Sequence, residues 1–446
     1  MKNNILATGK MSSLFIKFMI PAVISMVIAG TQTIIDGIFL GNFVGPDAMA
    51  SVNIVQPFMQ ILTGCGFIIS IGSLSFIGRS LGEGKKEEAQ NIFRTSLVVI
   101  VLTSILIMLF GELFNNGIAV TLGANEELLS GVTSYIRVIS MFAPFIGLMF
   151  LFGFVNRVVG RPDLYLKGMI LSVAVNIVLD YLLIKEFGLG VKGAAFATGL
   201  AYTSALLIVI KPMIDKHNII NVFKGKFNKK FIWPVIYNGS AEGVVSLATA
   251  ITAYVFNMTF MKIAGAEGVA AFTTINYIGQ FGTLIMFGIS DGIVPIVSFN
   301  HGCKENARVN KALNIAIKLN LIVGVILFLT LFLFGRELIS MFAGENEEIL
   351  KLAIGGSKIY AIAFLLCGFN IIKAGYFTAI GDSRAAVIIA ASRGILFILL
   401  GMAILPSLIG VSGVWLTVPF AEIMTVLISI GLTKLSNRNL ALEMIA

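Results

Sequence analysis

Asn176-Ile-Val-Leu-Asp180 sets an amide and a carboxylate four residues apart inside a long apolar stretch. On a helix that spacing stacks both side chains on one face. Thr198 follows 18 residues after Asp180, beyond a turn around residues 188–193, so a helical hairpin brings it back to the same depth. Asp36, near the end of the first apolar stretch, falls at a similar depth. Two carboxylates, an amide oxygen and a hydroxyl form a hard-oxygen cluster suited to Na⁺. If the two acids share a proton instead, the same cluster is a protonation site. A polar network that only fixes helix packing is the competing reading. An acid at the centre of a bilayer costs at least ~2.5 kcal/mol, which weighs toward a working site.

Three further acids fall in apolar stretches: Glu242, Asp291 and Glu422. Glu242 and Asp291 are possible acids of a second site, and Glu422 reads as a packing residue at a helix seam. The sequence suggests no Lys or Arg at the same depth to pair with any of these acids. A set of amides, Gln32, Asn53, Gln56, Gln60, Asn276 and Gln280, is placed to line a central cavity for substrate. Each alone is more often glue between helices than a ligand contact. Pro21, in the same stretch as Asp36, removes one backbone hydrogen bond and favours a bend there.

The elements that hold these residues must be membrane helices. Of 446 residues, 57% are hydrophobic and only 12% charged, with a mean hydropathy of +0.95. The apolar blocks run to roughly 20 residues or more, enough to cross a ~30 Å hydrocarbon core. Lipid offers no hydrogen bonds to an open sheet edge, and the period-2 alternation of a barrel is absent. Twelve spans are expected, from about 12–40 and 50–77 through 165–186 and 193–212 to 411–434.

A self-match at an offset of 220 residues pairs Gly45, Gln60, Gly72 and Gly82 with Gly265, Gln280, Gly292 and Gly302. It also pairs Gly190 and Gly193 with Gly410 and Gly413. The chain therefore reads as an internal repeat: an all-α integral membrane protein of 12 transmembrane helices. Six spans per half make the repeats parallel, and two such lobes enclose a V-shaped central cavity. The lobes are residues 1–210 and 231–446, joined by a basic loop, 211–230.

The net charge of +9 is a topology signal. Most Lys and Arg, including Lys2, Lys10, Arg79, Arg157, Lys224, Lys373, Arg393 and Arg438, fall in segments assigned to one side. That side is the cytoplasm, and both termini lie there. A nucleic-acid partner is not expected. Cys65, Cys303 and Cys367 have no metal-ligand or redox spacing. The two histidines, His217 and His301, fall in loops, and no phosphate-binding Gly-x-x-x-x-Gly-Lys-Ser/Thr loop exists. A carrier driven by an ion gradient remains, not an enzyme, with no cofactor and H⁺ or Na⁺ as the coupling ion.

Pro21 with Asp36, Gly78-Arg79-Ser80-Leu81-Gly82, Asn176-Ile-Val-Leu-Asp180 and Asp291-Gly292-Ile293-Val294-Pro295 occur in an order that resembles the multidrug and toxic compound extrusion family. The resemblance covers essentially the whole chain. It implies export of drugs and dyes, mostly organic cations, from the bacterial cytoplasmic membrane in exchange for H⁺ or Na⁺, by a protein acting as a monomer. Related members bind the coupling cation through an Asp in span one, an Asn and Asp in span five and a Thr in span six. Asp36, Asn176, Asp180 and Thr198 match those four. Another branch uses a Glu in span seven and an Asp in span ten; Glu242 matches the first, but span ten here carries Asn370 and Lys373. A flippase of lipid-linked saccharides, an exporter of one metabolite and a non-transporting assembly or sensor protein are the alternatives.

Overall fold

The computed structural model describes residues 5–343 and 347–443. Lys2, and the side chain of Arg438, lie outside the described residues. Ten helical stretches are long and apolar by themselves or continuous with one another: α1 (Met11–Phe43), α2 (Pro46–Gly82), α3 (Lys86–Leu113), the bent pair α4 (Glu126–Met141 with Ala143–Val158), α5 (Asp163–Glu186), α6 (Gly190–Val209), α9 (Asn306–Ala343), the bent pair α10 (Glu347–Ala361 with Phe364–Ile380), α11 (Ser383–Ile409) and α12 (Val411–Glu443). The remaining helix, Ile232–Gly302, has 71 residues and carries non-helical backbone at Gly265. Unbroken, it would measure roughly 105 Å at 1.5 Å per residue, over three times the hydrocarbon thickness. It is therefore two spans, α7 (232–264) and α8 (266–302). That makes twelve spans among the described residues, and no strand occurs among them.

The turns fall where the chain can make them. Gly45 has φ 124° and is followed by Pro46 at the first position of α2, which ends α1 and starts its neighbour. Its repeat partner Gly265 has φ 64°, and the pair Gly190 and Gly410 have φ 53° and 60°. Matched glycines thus turn in the left-handed region at matched places in the two halves. Gly265→Ala is expected to destabilise the protein by about 1–2 kcal/mol, since a Cβ disfavours that φ. A lowered thermal midpoint in detergent would show it, and an unchanged midpoint would contradict it.

The two halves meet at the helix ends that carry residues 211–230. There Ser75 Oγ donates to the Thr378 carbonyl at 2.7 Å and Arg79 Nη1 to that of Ile380 at 3.1 Å. Cys303 Sγ donates to the Gly82 carbonyl at 3.3 Å. Glycine allows this closeness: a Cβ on Gly72 would meet the backbone of Val235, and one on Gly239 the backbone of Ile68.

Residues 211–230 are docked, not free. Gln90 Nε2 donates to the carbonyls of Asn221 (2.6 Å) and Lys224 (2.9 Å), and its Oε1 accepts from Asn221 N at 3.0 Å. Arg94 Nη1 reaches the Val222 carbonyl at 3.0 Å. Outside the bilayer, hydrogen bonds from His217 hold the Asp215 carboxyl below its usual range. Gln90→Ala strands buried linker backbone groups, at about 1–3 kcal/mol. The expected result is faster tryptic cleavage at Lys224 and Lys226, with transport retained. Equal cleavage rates would mean the clamp is immaterial.

Candidate functional site

In the first half, α1, α5 and α6 bring four of the expected site residues together. Asn176 Nδ2 donates to Asp36 Oδ1 and Thr198 Oγ1 to Asp36 Oδ2, each at 3.0 Å. Asp36 is 5% exposed and Asp180 0%. Asp180 acts directly on the Asp36 carboxyl. Both Asp180 oxygens, and Asn176 Oδ1, lack a hydrogen-bond partner among the described residues. The backbone widens into a π-helical turn at Tyr181–Glu186, immediately after Asp180. Such turns interrupt the regular ladder and recur at functional sites.

The chemistry follows from which lone pairs are taken. One Asn176 amide hydrogen and the Thr198 hydroxyl are spent on Asp36, and both Asp180 oxygens with Asn176 Oδ1 remain as acceptors. Buried acceptors without donors are costly, and protons or a hard cation satisfy them. No group of three or more His, Cys, Asp and Glu is placed to hold a metal ion among the described residues.

The residue set read from the sequence leaves out Tyr135 and Tyr202. Tyr135, on α4, is buried with its hydroxyl beside Thr198 and within electrostatic reach of Asp36 and Asp180. Nothing in the local sequence marks it. Tyr202, which also acts on Asp36, lies four residues after Thr198 on the same face of α6, and that spacing is a usable signal. Gln32 is buried one turn before Asp36, with neither amide atom bonded among the described residues.

The expectation of no basic residue at the depth of the acids is overturned twice. Arg157 lies 3.6 Å from Asp291 Oδ2, and Arg393 Nε donates to Glu422 Oε1 at 2.6 Å. Arg157 belongs to the last turn of α4, where the rings of Phe154 and Tyr165 each sit 4.4 Å from its guanidinium. Those rings, not water, receive its charge. Arg393 is half-buried ten residues into α11, and Lys373 is buried within α10, so neither belongs among the loop residues that mark a membrane side. Glu422 further accepts from Asn370 Nδ2 at 2.7 Å.

A cavity of about 270 Å³ opens in the second half. Glu242, Asp291, Asn276 and Gln280 line it, with the rings of Phe272 and Phe287. Asn53 and Gln60 are exposed and Gln56 half-buried on α2, outside that lining. The Glu242 carboxyl forms no ion pair or hydrogen bond among the described residues, although Asp291 acts on it.

Twelve apolar helices, packed as two halves around buried charged groups, define a polytopic membrane carrier. The MatE family model matches residues 21–182 and again 243–403, more than half of the chain. The chain belongs to the MatE family, the multidrug and toxic compound extrusion family its motifs resemble. It is 26% identical over 407 residues to the multidrug export protein MepA of Staphylococcus aureus, covering 91% of this chain and 89% of that protein. To the MepA of Staphylococcus saprophyticus it is 27% identical over 428 residues, covering 95% and 94%. A crystal structure described as MATE in the bent conformation has the same fold, with a TM-score of 0.93 at 20% identity over the full length of both chains.

Proposed function

We propose that this chain is an antiporter of the bacterial cytoplasmic membrane that exports amphipathic, mostly cationic organic compounds in exchange for H⁺ or Na⁺. The observation that carries the proposal is the set of unpartnered acceptor oxygens on Asp180 and Asn176 beside Asp36 and Thr198. A coupling ion fits there because a proton or a hard cation satisfies such buried acceptors. Lobes 1–210 and 231–446 rock about the 211–230 loop, and the lysines of that loop keep it, with both termini, in the cytoplasm.

In this reading the cavity beside Glu242 takes the substrate. Of the acids lining it, Asp291 faces Arg157 and Glu422 faces Arg393, which leaves Glu242 as the uncompensated charge. One negative charge beside aromatic rings suits a flat organic cation. The relatives named multidrug export proteins support the same substrate class. A saccharide-lipid flippase would need a free cationic group for phosphate, and the arginine in the cavity wall is bound by Glu422.

Efflux of ethidium from vesicles, driven by an imposed pH gradient or an imposed Na⁺ gradient one at a time, tests the function. Efflux under one gradient identifies the ion. Efflux under neither, from protein that is folded and inserted, would remove the antiport reading.

A further inference from the structure

The Arg157 guanidinium crosses the seam between the halves, from α4 of the first to α8 of the second, and is 2% exposed. Its partner is a poor one. At 3.6 Å the contact with Asp291 Oδ2 is too long for a hydrogen bond. Neither Nη atom of Arg157 nor Oδ2 of Asp291 has a hydrogen-bond partner among the described residues. Replacing a buried pair of this kind with apolar groups is often neutral or stabilising, whereas removing one partner strands a charge. A loose buried pair is therefore a weak way to stabilise one state and an effective way to distinguish two.

Asp291 also faces the other way, into the cavity beside Glu242. One carboxylate thus serves both the seam and the compartment assigned above to the substrate. We propose that Arg157 and Asp291 form a latch across the seam, which a cationic substrate opens by taking the guanidinium's place at Asp291. The proposal rests on the cationic-substrate reading. When the substrate neutralises Asp291, the Arg157 charge remains between the faces of Phe154 and Tyr165, which hold it by cation–π attraction. The seam then loses its cross-lobe charge pair. The substrate shifts the equilibrium by its preference for the unlatched state. Departure of the substrate returns Asp291 to Arg157.

The protein carries its own reporter. Cys303 sits on the seam, with its Sγ against the Gly82 carbonyl of the other half. In full-length protein with Cys65→Ser and Cys367→Ala, the rise in N-ethylmaleimide alkylation of half-buried Cys303 above that of the dye-free parent reads how often the seam opens. Arg157→Met and Asp291→Asn are each expected to raise that rate roughly tenfold, a modest population shift. The exchange Arg157→Asp with Asp291→Arg is expected to restore protection. Ethidium should raise the rate in the parent protein and leave it unchanged in the exchanged pair, whose cavity then carries an arginine.

Equal protection in the parent and both single variants would overturn the latch, as would an exchanged pair that stays exposed. Should the single variants fail to fold, the parent and the exchanged pair with and without dye decide the matter. Polarisation of ethidium fluorescence separates the two readings. Binding without exposure of Cys303 sinks the displacement alone, whereas no binding at all sinks the substrate reading and the displacement with it.

Discussion

Asp36→Asn and Asp180→Asn are each expected to reduce dye efflux to that of vesicles lacking the protein, while the protein still inserts and folds. The substitutions are nearly isosteric, so they test charge and not packing. Asp36 accepts from Asn176 and Thr198, and an amide in its place retains one acceptor oxygen and turns its NH₂ against the other donor. That costs about 1–3 kcal/mol as an unsatisfied buried contact, tolerable in a protein of this size. Asp180 shares its contact with the Asp36 carboxyl, and an amide in its place can donate to Asp36, so its neutral variant should be about as stable as the parent. Loss of transport at Asp180 with unchanged thermal stability would therefore point to ion coupling, because the packing contact with Asp36 survives the change and only the charge is lost. Substrate binding, measured in the absence of any gradient, should survive both changes. Full efflux by either variant would reduce the cluster to a packing network, and loss of folding in both would point the same way.

The N-terminal cluster was legible because each part carried a signal of its own. The i, i+4 pair Asn176 and Asp180 follows helical spacing, and the hairpin through Gly188 and Gly190 returns Thr198 to their level. Acids in an apolar chain are conspicuous because they are costly. The number of spans was legible for a similar reason, since bilayer thickness sets helix length, and Gly45 with Gly265 marked the same turn in both halves. Arg157 and Arg393 were not legible. A basic residue near the end of an apolar run reads as a loop marker, and only the packed structure shows Phe154 and Tyr165 closing over one guanidinium and Glu422 gripping the other. Tyr135 was hidden for another reason. Its place beside Thr198 depends on how α4 packs on α6, a contact between helices that no local spacing encodes.

Glu242→Gln is expected to weaken binding of cationic dyes by about ten- to a hundredfold and to spare neutral compounds of similar shape. The two other acids lining the cavity face arginines, so Glu242 alone gives the compartment its net negative charge. A charged contact of this kind contributes about 1.5–3 kcal/mol, and each 1.4 kcal/mol is tenfold in affinity. The glutamine keeps the volume and the hydrogen-bonding reach of the side chain. A change in cavity shape would therefore weaken cationic and neutral ligands alike, whereas loss of charge weakens only the cations. Glu242→Asp supplies the control: it retains the charge one methylene further back and should recover part of the cation preference. Fluorescence polarisation with matched cationic and neutral dyes measures all three proteins. Equal losses for both dye classes would show that Glu242 shapes the cavity without reading charge. The comparison also bears on Asp291, which shares the cavity: with Glu242 neutral, the cation preference that remains is the part Asp291 provides when Arg157 lets it go.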